Sequence, residues 1–585
     1  MFPEKYQELN FRLMWEQVGA PFELFAGNVR RSDRGKEEFL YARDGWEAEL
    51  SRFKENLALD AVDIFYLYGL GLGWHFSLFK QWLHKDPSKK LIVIEDDLAV
   101  IDIYRRSGEK ELLTHPQVDL HFLEKRGLWK DFLKQCSFKY SGKRPEAGVM
   151  ESYARSRKKR KIETIQKELF SYHGLHATYL SEAICAHTIH HHLFENLKHL
   201  PHSFDARAFT GAFNGVPAII CGAGPSLGNY IQELQQVGDR ALIVAGGSAV
   251  PALGNFGVVP HFSMAIDPNL EEKKRFEESV IQETAFIYGL RIHPGVFDTL
   301  NAPLGYLPTG TCGSGEKWVQ EHLGMGPTTC GEDMGAEALS ITTLAVSFAH
   351  RMGCNPIILV GVDLGLPGMK RYAEGVTGEA IDHAVALDKK MLQQDGSGKP
   401  LYTLVRWMME ARALSSFAKK RKSVRFFRVG NAGLPIAGIP VIGSEEFLRM
   451  QTLGSLDLRG KIHEVIQGAM FPQEIEEKSA ELKASLVASL KHSQRICQEI
   501  LRELQRIDLS QQESFYPTGT IIGLTFKLEE EIAFKVLLIR TKEMIHHKLH
   551  QEKPGKTPAL LDEELFRNLL SVIDYYLVHV FISML

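Results

Sequence analysis

Two aspartates in the middle of the sequence close runs that read as buried strands. Asp267 follows Pro260-His261-Phe262-Ser263-Met264-Ala265-Ile266, and Asp363 follows Ile357-Ile358-Leu359-Val360-Gly361-Val362. A carboxylate at the end of a strand can take a proton from a hydroxyl or hold a polar ligand. Glycine-rich turns accompany them. Gly222-Ala223-Gly224-Pro225-Ser226-Leu227 follows Ala218-Ile219-Ile220-Cys221, Gly246-Gly247-Ser248 follows Ile243-Val244-Ala245, and Gly361 precedes Asp363. Glycine has no Cβ, so the main chain can turn tightly there and approach a ligand. Ser226 is in position to cap a following helix, whose first N–H groups favour an anion. Strand, glycine turn and helix N-terminus together make a phosphate cradle. Gly222, Gly224, Pro225, Ser226, Leu227, Gly246, Gly247, Ser248 and Gly361 are therefore expected to surround a nucleotide or nucleotide sugar, with Asp267 and Asp363 aimed into the pocket. The same spacing suits a tight βα turn that binds nothing, and either aspartate suits a helix cap or turn bond.

The first turn differs from common phosphate motifs. No Lys-Ser or Lys-Thr follows its glycines, so it is not a P-loop. It lacks the third glycine of the dinucleotide fingerprint and places Pro225 where that helix would begin. His261 is another candidate base, with a structural strand-edge role as its alternative. Thr309-Gly310-Thr311-Cys312-Gly313-Ser314-Gly315 reads as a hydroxyl-rich loop suited to covering a nucleotide, or as a plain connection. No nucleophile stands out.

These residues need a sheet to hold them. Strands alternating with helical stretches such as Asn229 to Val237 and Glu337 to Met352 argue for a doubly wound, mostly parallel α/β sheet with helices on both faces. A separate βαβ unit precedes it. Asp63 to Tyr68 and Leu91 to Glu95 read as strands, joined by Gly69-Leu70-Gly71-Leu72-Gly73 and an apolar helix. In a ligand-binding Rossmann pair, Glu95 would take a ribose hydroxyl pair; a purely structural unit reads the same way. Beyond Glu445 strand signals fade, and Glu474 to Arg506 and Leu528 to Leu549 show long helical periodicity. The expected organisation is a Rossmann-like N-terminal domain over 1–139 and a helical linker over 140–203. A central nucleotide-sugar-binding α/β domain over 204–444 and a helical C-terminal domain over 445–585 complete it.

The motifs resemble, in order, those of the motility accessory factor family. The matching stretches are Gly222-Ala223-Gly224-Pro225-Ser226-Leu227, the second strand and turn at Ile243 to Ala249, Asp267-Pro268, Gly361-Val362-Asp363-Leu364 and, loosely, Asn431-Ala432-Gly433 with Ile436-Ala437-Gly438. The central domain of that family is similar to bacterial sialyltransferases and to the archaeal 6-hydroxymethylpterin diphosphokinase. The resemblance implies a glycosyltransferase moving a sialic-acid-like nonulosonic sugar from a CMP donor to Ser or Thr of a protein acceptor, a flagellin-like protein among the candidates. Such a reaction needs a base for the acceptor hydroxyl and stabilisation of the departing phosphate. Lys370, Arg371 and Tyr372 follow the Asp363 strand and could reach that phosphate. Where family members carry His-Ala-x-Gly this chain has Tyr372-Ala373-Glu374-Gly375, so Tyr372 and Glu374 stand, by position only, in the histidine's place beside Asp267 and Asp363. The diphosphokinase likeness implies instead an ATP-dependent enzyme that normally uses Mg²⁺, with Asp267 and Asp363 as ligand candidates. A catalytically silent nucleotide-binding scaffold is the third reading.

Composition narrows the classes. At 585 residues the chain exceeds one ordinary core. A formal charge of −3 gives no general attraction to nucleic acid or anionic membrane. Seven scattered cysteines without a CxxC pair suggest neither a zinc site nor a disulfide framework, which fits a cytoplasmic protein. Asp574 and His579 interrupt the apolar tail from Leu569 to Leu585, which reads as an amphipathic helix. The basic run Arg155 to Lys161 reads as a solvated face or a patch for an acidic partner. His187 and His191 share a helix face but lack an identifiable third metal ligand, so no metal site is assigned.

Overall fold

Runs of β-branched and aromatic residues become buried strands of two parallel sheets, one in each compact unit, in the computed structural model. It describes the chain apart from residues 1–5, 16–19, 26–27, 34, 56, 58, 60–61, 124–125, 141–142, 156–168, 170–184, 281–282, 327, 336–339, 375, 377–391, 451–455, 507–517, 553–557 and 582–585. The units are Met1–Leu180 and Ser181–Leu585.

The first unit opens with an antiparallel sheet of β1 (Glu23–Phe25), β2 (Asn28–Asp33) and β3 (Lys36–Phe39). A parallel sheet follows, built from β4 (Ile64–Tyr68), β5 (Lys90–Glu95), β6 (Val118–Phe122) and β7 (Pro145–Val149) in the order β6-β5-β4-β7. Every residue of β4 is buried, as expected for a strand covered on both faces. The sheet therefore runs past residue 139, where the sequence placed the end of this domain. Residues 156–161 of the basic run lie outside the described residues.

The second unit carries β8 (Ser203–Asp205), β9 (Ala218–Cys221), β10 (Leu242–Gly246), β11 (Phe262–Ala265), β12 (Ala285–Tyr288), β13 (Leu304–Tyr306), β14 (Ile357–Val360), β15 (Leu392–Gln394), β16 (Pro400–Tyr402), β17 (Phe426–Val429) and β18 (Val441–Ile442). Apart from the β15–β16 hairpin they form one nine-stranded parallel sheet in the order β18-β17-β14-β9-β10-β11-β12-β13-β8. Alternate residues serve opposite faces. Ile219, Cys221, Ile243 and Ala245 pack into one core, and Ala218, Ile220, Leu242 and Val244 into the other. The second face is covered by helices Ile341–Arg351, Val405–Lys420 and Leu458–Gly468.

The long helix Glu474–Gln505 places its apolar stripe, including Leu482, Leu486 and Leu490, in the same core as Ile219 and Ile243. The C-terminal helices thus differ from the separate domain expected over 445–585. They cover the sheet because an amphipathic stripe and an apolar sheet face each need a partner. Helix Ala186–Asn196, expected in the linker, joins this core through Leu193 and Phe194. Among the described residues, no helix is long and apolar enough to cross a membrane.

Candidate functional site

The chain leaves β9 for β10 on one side and later returns to β14 on the other, so β9 and β14 form a topological switch point, where ligands of such sheets collect. The two turns at their carboxyl ends close on each other. Gly222 N–H donates to Val360 O at 2.8 Å, and Gly224 N–H to Gly361 O at 2.8 Å. A Cβ on Gly222 would lie 2.6 Å from Gly361 O, and one on Gly224 2.5 Å from Asp363 Oδ2. A Cβ on Gly361, whose φ is +68°, would meet Gly222 O. Asp363, 3% exposed, accepts Ser226 N–H on Oδ2 at 2.9 Å and the Ser226 hydroxyl on Oδ1 at 2.5 Å. Burial pushes its pKa up while these bonds hold it down.

The expected phosphate cradle is therefore closed by the protein's own groups. Leu227 N–H also has an internal acceptor, Gly224 O at 3.0 Å. Pro225 and Ser226 lie in a 3₁₀ turn, Pro225–Tyr230, before the helix Ile231–Val237, so Ser226 holds Asp363 rather than capping an α-helix. Gly433 belongs to the same assembly: its Cβ would meet the Asp363 backbone, and Leu434 N–H donates to Asp363 O at 2.7 Å.

A second group of polar side chains lies one step along the sheet, after β10 and β11. Gly247 turns with φ +49°, and its N–H donates to Met264 O at 2.9 Å. Ile341 fills the space where Gly246 would carry a Cβ. Ser248 precedes helix Ala249–Asn255 and makes no side-chain cap bond. Asp267 is partly exposed after β11. Two residues on, Asn269 caps helix Leu270–Glu277 through the Glu272 N–H at 3.1 Å.

That helix turns Glu272 and Arg275 inward. Glu272 Oε2 meets Arg275 Nη1 at 2.8 Å, with side-chain exposures of 1% and 11%. The Glu272 carboxyl also stands 3.4 Å from where a Gly247 Cβ would be. Burial, reinforced by the charge of Asp267, pushes its pKa up to about 8. Glu410, from helix Val405–Lys420, accepts the Ser340 hydroxyl at 2.9 Å. Burial raises its pKa to about 7, again with a contribution from Asp267.

The structure thus brings Asp267 together with Glu272, Arg275 and Glu410, which the sequence reading missed, and sets Asp363 apart. Tyr372 lies near enough to this group to contribute to the raised pKa of Arg275. Ala373 N–H, beside it, is tied to Ala223 O at 2.8 Å. Arg371 lies over the Tyr372 ring, 5.0 Å from its centroid, whereas Lys370 and Glu374 are exposed. Gly375 lies outside the described residues. Among the described residues, no group of three or more His, Cys, Asp or Glu is arranged to hold a metal ion.

Other candidates have structural partners. His261 lies at the opposite end of β11, where Nδ1 accepts Ile243 N–H at 3.0 Å and Nε2–H therefore donates to Asp239 at 3.1 Å. Glu316, fully buried, pins the Thr309 loop by accepting Thr309 N–H at 2.9 Å and Cys312 N–H at 3.3 Å. His191 pairs with Glu195, and His187 packs edge-on against Tyr575.

In the first unit, Glu95 accepts Leu70 N–H at 2.9 Å and the Tyr153 hydroxyl at 2.7 Å on one oxygen. Its other oxygen accepts Asp96 and Asp97 N–H at 2.9 and 3.0 Å. Tyr41 Oη accepts Leu72 N–H at 2.7 Å. Side chains of Tyr41 and Met150 fill the space beside Gly71 and Gly69. The positions expected for ribose and phosphate are thus occupied from within.

Comparison with known proteins agrees with this architecture. Residues 191–368 match the 6-hydroxymethylpterin diphosphokinase MptE-like family, a span that holds β8 to β14, Asp267, Glu272, Arg275 and Asp363. No curated protein matches the sequence. The structure is similar to that of a Maf glycosyltransferase from Magnetospirillum magneticum AMB-1. The TM-score is 0.50 at 15% identity, over 98% of this chain and 94% of that one. Residues 191–368 are therefore an MptE-like domain, carried in a chain with the fold of a Maf-type glycosyltransferase.

Proposed function

We propose that this chain is a glycosyltransferase that moves a nonulosonic sugar from a CMP donor to a Ser or Thr hydroxyl of a protein. The observation that carries the reading is the group formed by Asp267, Glu272, Arg275 and Glu410 at the ends of β10 and β11. It combines a partly exposed carboxylate, a guanidinium and two buried carboxyls whose pKa values the Asp267 charge helps to raise. In the reaction, the bond between the anomeric carbon and the phosphate oxygen breaks, and a bond to the acceptor oxygen forms. Asp267 takes the acceptor's proton, and cationic side chains stabilise the departing CMP. Tyr372, whose neighbour Ala373 is tied to Ala223 through the backbone, orients the acceptor. Similarity along nearly the whole of both chains supports this reading, since it includes the elements flanking the MptE-like span.

A second reading, ATP-dependent pyrophosphoryl transfer with Mg²⁺, is favoured by the family match over residues 191–368. Thermal denaturation with CMP, with ATP–Mg²⁺ and with S-adenosylmethionine separates the two, because a ligand of the native state raises Tm. Stabilisation by CMP, followed by a sugar-sized mass increase on a Ser- or Thr-containing acceptor incubated with a CMP-nonulosonate, is the expected result. Stabilisation by ATP–Mg²⁺ alone would move the assignment to the kinase reading.

A further inference from the structure

Arg275 is placed as a ligand-binding group rather than as half of a surface ion pair. Its side chain is 11% exposed, and its Nη1 meets Glu272 at 2.8 Å. Its Nε is buried and has no hydrogen-bond partner among the described residues. Asp267 and Tyr372, both partly exposed, lie near enough to contribute to its raised pKa. A buried guanidinium with an unmatched N–H costs stability unless an acceptor arrives. A flat fork of donors fits the oxygens of a phosphate better than any other side chain does.

We infer that Arg275 is the group that receives the phosphate of the CMP donor, an inference that rests on the glycosyl-transfer reading above. Burial of Glu272 supports it. Burial, reinforced by the charge of Asp267, pushes that carboxyl up to about 8, which weakens its claim on the guanidinium charge relative to an ordinary carboxylate. In the transfer, Arg275 holds the phosphate oxygen that gains charge as the bond to the sugar breaks. Asp267, near enough to contribute to the raised pKa of Arg275, receives the acceptor's proton.

The test is the affinity of CMP and of cytidine, which lacks the phosphate, for wild type, Arg275→Lys and Arg275→Gln, with the fold of each variant checked by its urea midpoint. Arg275→Gln is expected to weaken CMP about 10- to 100-fold, the range for losing a charge-assisted hydrogen bond. Cytidine binding is expected to stay unchanged, so that CMP and cytidine bind the variant alike. Arg275→Lys, which keeps the charge but not the fork, should fall between. If Arg275→Gln does not fold, Glu272→Gln/Arg275→Gln, which removes both members of the pair, carries the same comparison. Equal weakening of CMP and cytidine, or no weakening of CMP, would overturn the assignment while leaving the donor reading standing. Failure of wild type to bind CMP would overturn both.

Discussion

Asp363→Asn and Asp363→Ala distinguish a residue that holds a turn from one that meets a ligand. Asp363 satisfies two donors of Ser226 on separate oxygens, at 2.9 and 2.5 Å, while 3% exposed. Asn can still accept the Ser226 N–H, and the hydroxyl can rotate to accept from the new amide. The loss is then the difference between charged and neutral hydrogen bonds, about 1–2 kcal/mol, partly offset because a buried charge has been removed. Ala leaves both donors without an acceptor and opens a small void, at about 3–5 kcal/mol. Urea unfolding monitored by tryptophan fluorescence should show midpoints falling in the order wild type, Asn, Ala at constant m, with Ser226→Ala near Asn. Amide exchange at Ser226 should speed up most in Ala. The reasoning is refuted if Asn unfolds at the wild-type midpoint yet abolishes CMP binding, because Asp363 would then act on the ligand.

Three further outcomes follow from the same geometry. Gly224→Ala should destabilise by about 1–3 kcal/mol, since its Cβ would lie 2.5 Å from Asp363 Oδ2 and 2.6 Å from Gly361 O; an unchanged urea midpoint would count against turn-to-turn packing. Tyr41→Phe removes the acceptor of the Leu72 N–H and should cost about 1–3 kcal/mol, read as faster exchange at that amide. S-adenosylmethionine and dinucleotides should stabilise neither wild type nor this variant, because the slot is filled. Glu272 holds a proton in the folded chain from its usual 4.5 up to about 8, which the unfolded chain has already released. Wild-type stability should therefore fall as pH rises through that window and level off above it, by on the order of a few kcal/mol. Glu272→Gln should flatten the fall in the urea midpoint between about pH 5 and about pH 8.5; an identical slope in both proteins would contradict the protonated carboxyl.

The strands that frame the site were legible in the sequence because each is a short apolar run ending in glycine or an acid. Ala218–Cys221, Ile357–Val360 and β5 lie where those runs predict them. The helix expected from Glu474 to Arg506 ends at Gln505, since its amphipathic period is unbroken. Leu528 to Leu549 is less regular than it reads: one helix ends at Glu530, a π-helical turn spans Phe534–Leu538, and a second helix runs from Ile539 to Glu552. Glu272 and Arg275 were missed because Leu270-Glu271-Glu272-Lys273-Lys274-Arg275 has the composition of a solvated helix, and composition does not reveal which charges face inward. One signal was present. Asn269 three residues before Glu272 is the pattern of a capped helix start, which fixes the face that Glu272 and Arg275 share. Glu410 carried a second, as a lone acid between Met409 and Ala411, both buried. The filled Gly69–Gly73 turn left no such trace, since its plugs, Tyr41 and Met150, are distant in sequence.

The interlock of Gly222, Gly224 and Gly361 bears on how relatives of this chain are to be compared. Each position excludes a side chain because a neighbouring main chain or Asp363 already occupies the space, so selection for folding alone keeps the signature intact. A relative that has lost its substrate, or changed it, would retain the glycines unchanged. Constancy at these positions therefore measures architecture, and on the glycosyl-transfer reading proposed above, divergence of activity is to be sought in the identities at Asp267, Glu272, Arg275 and Tyr372.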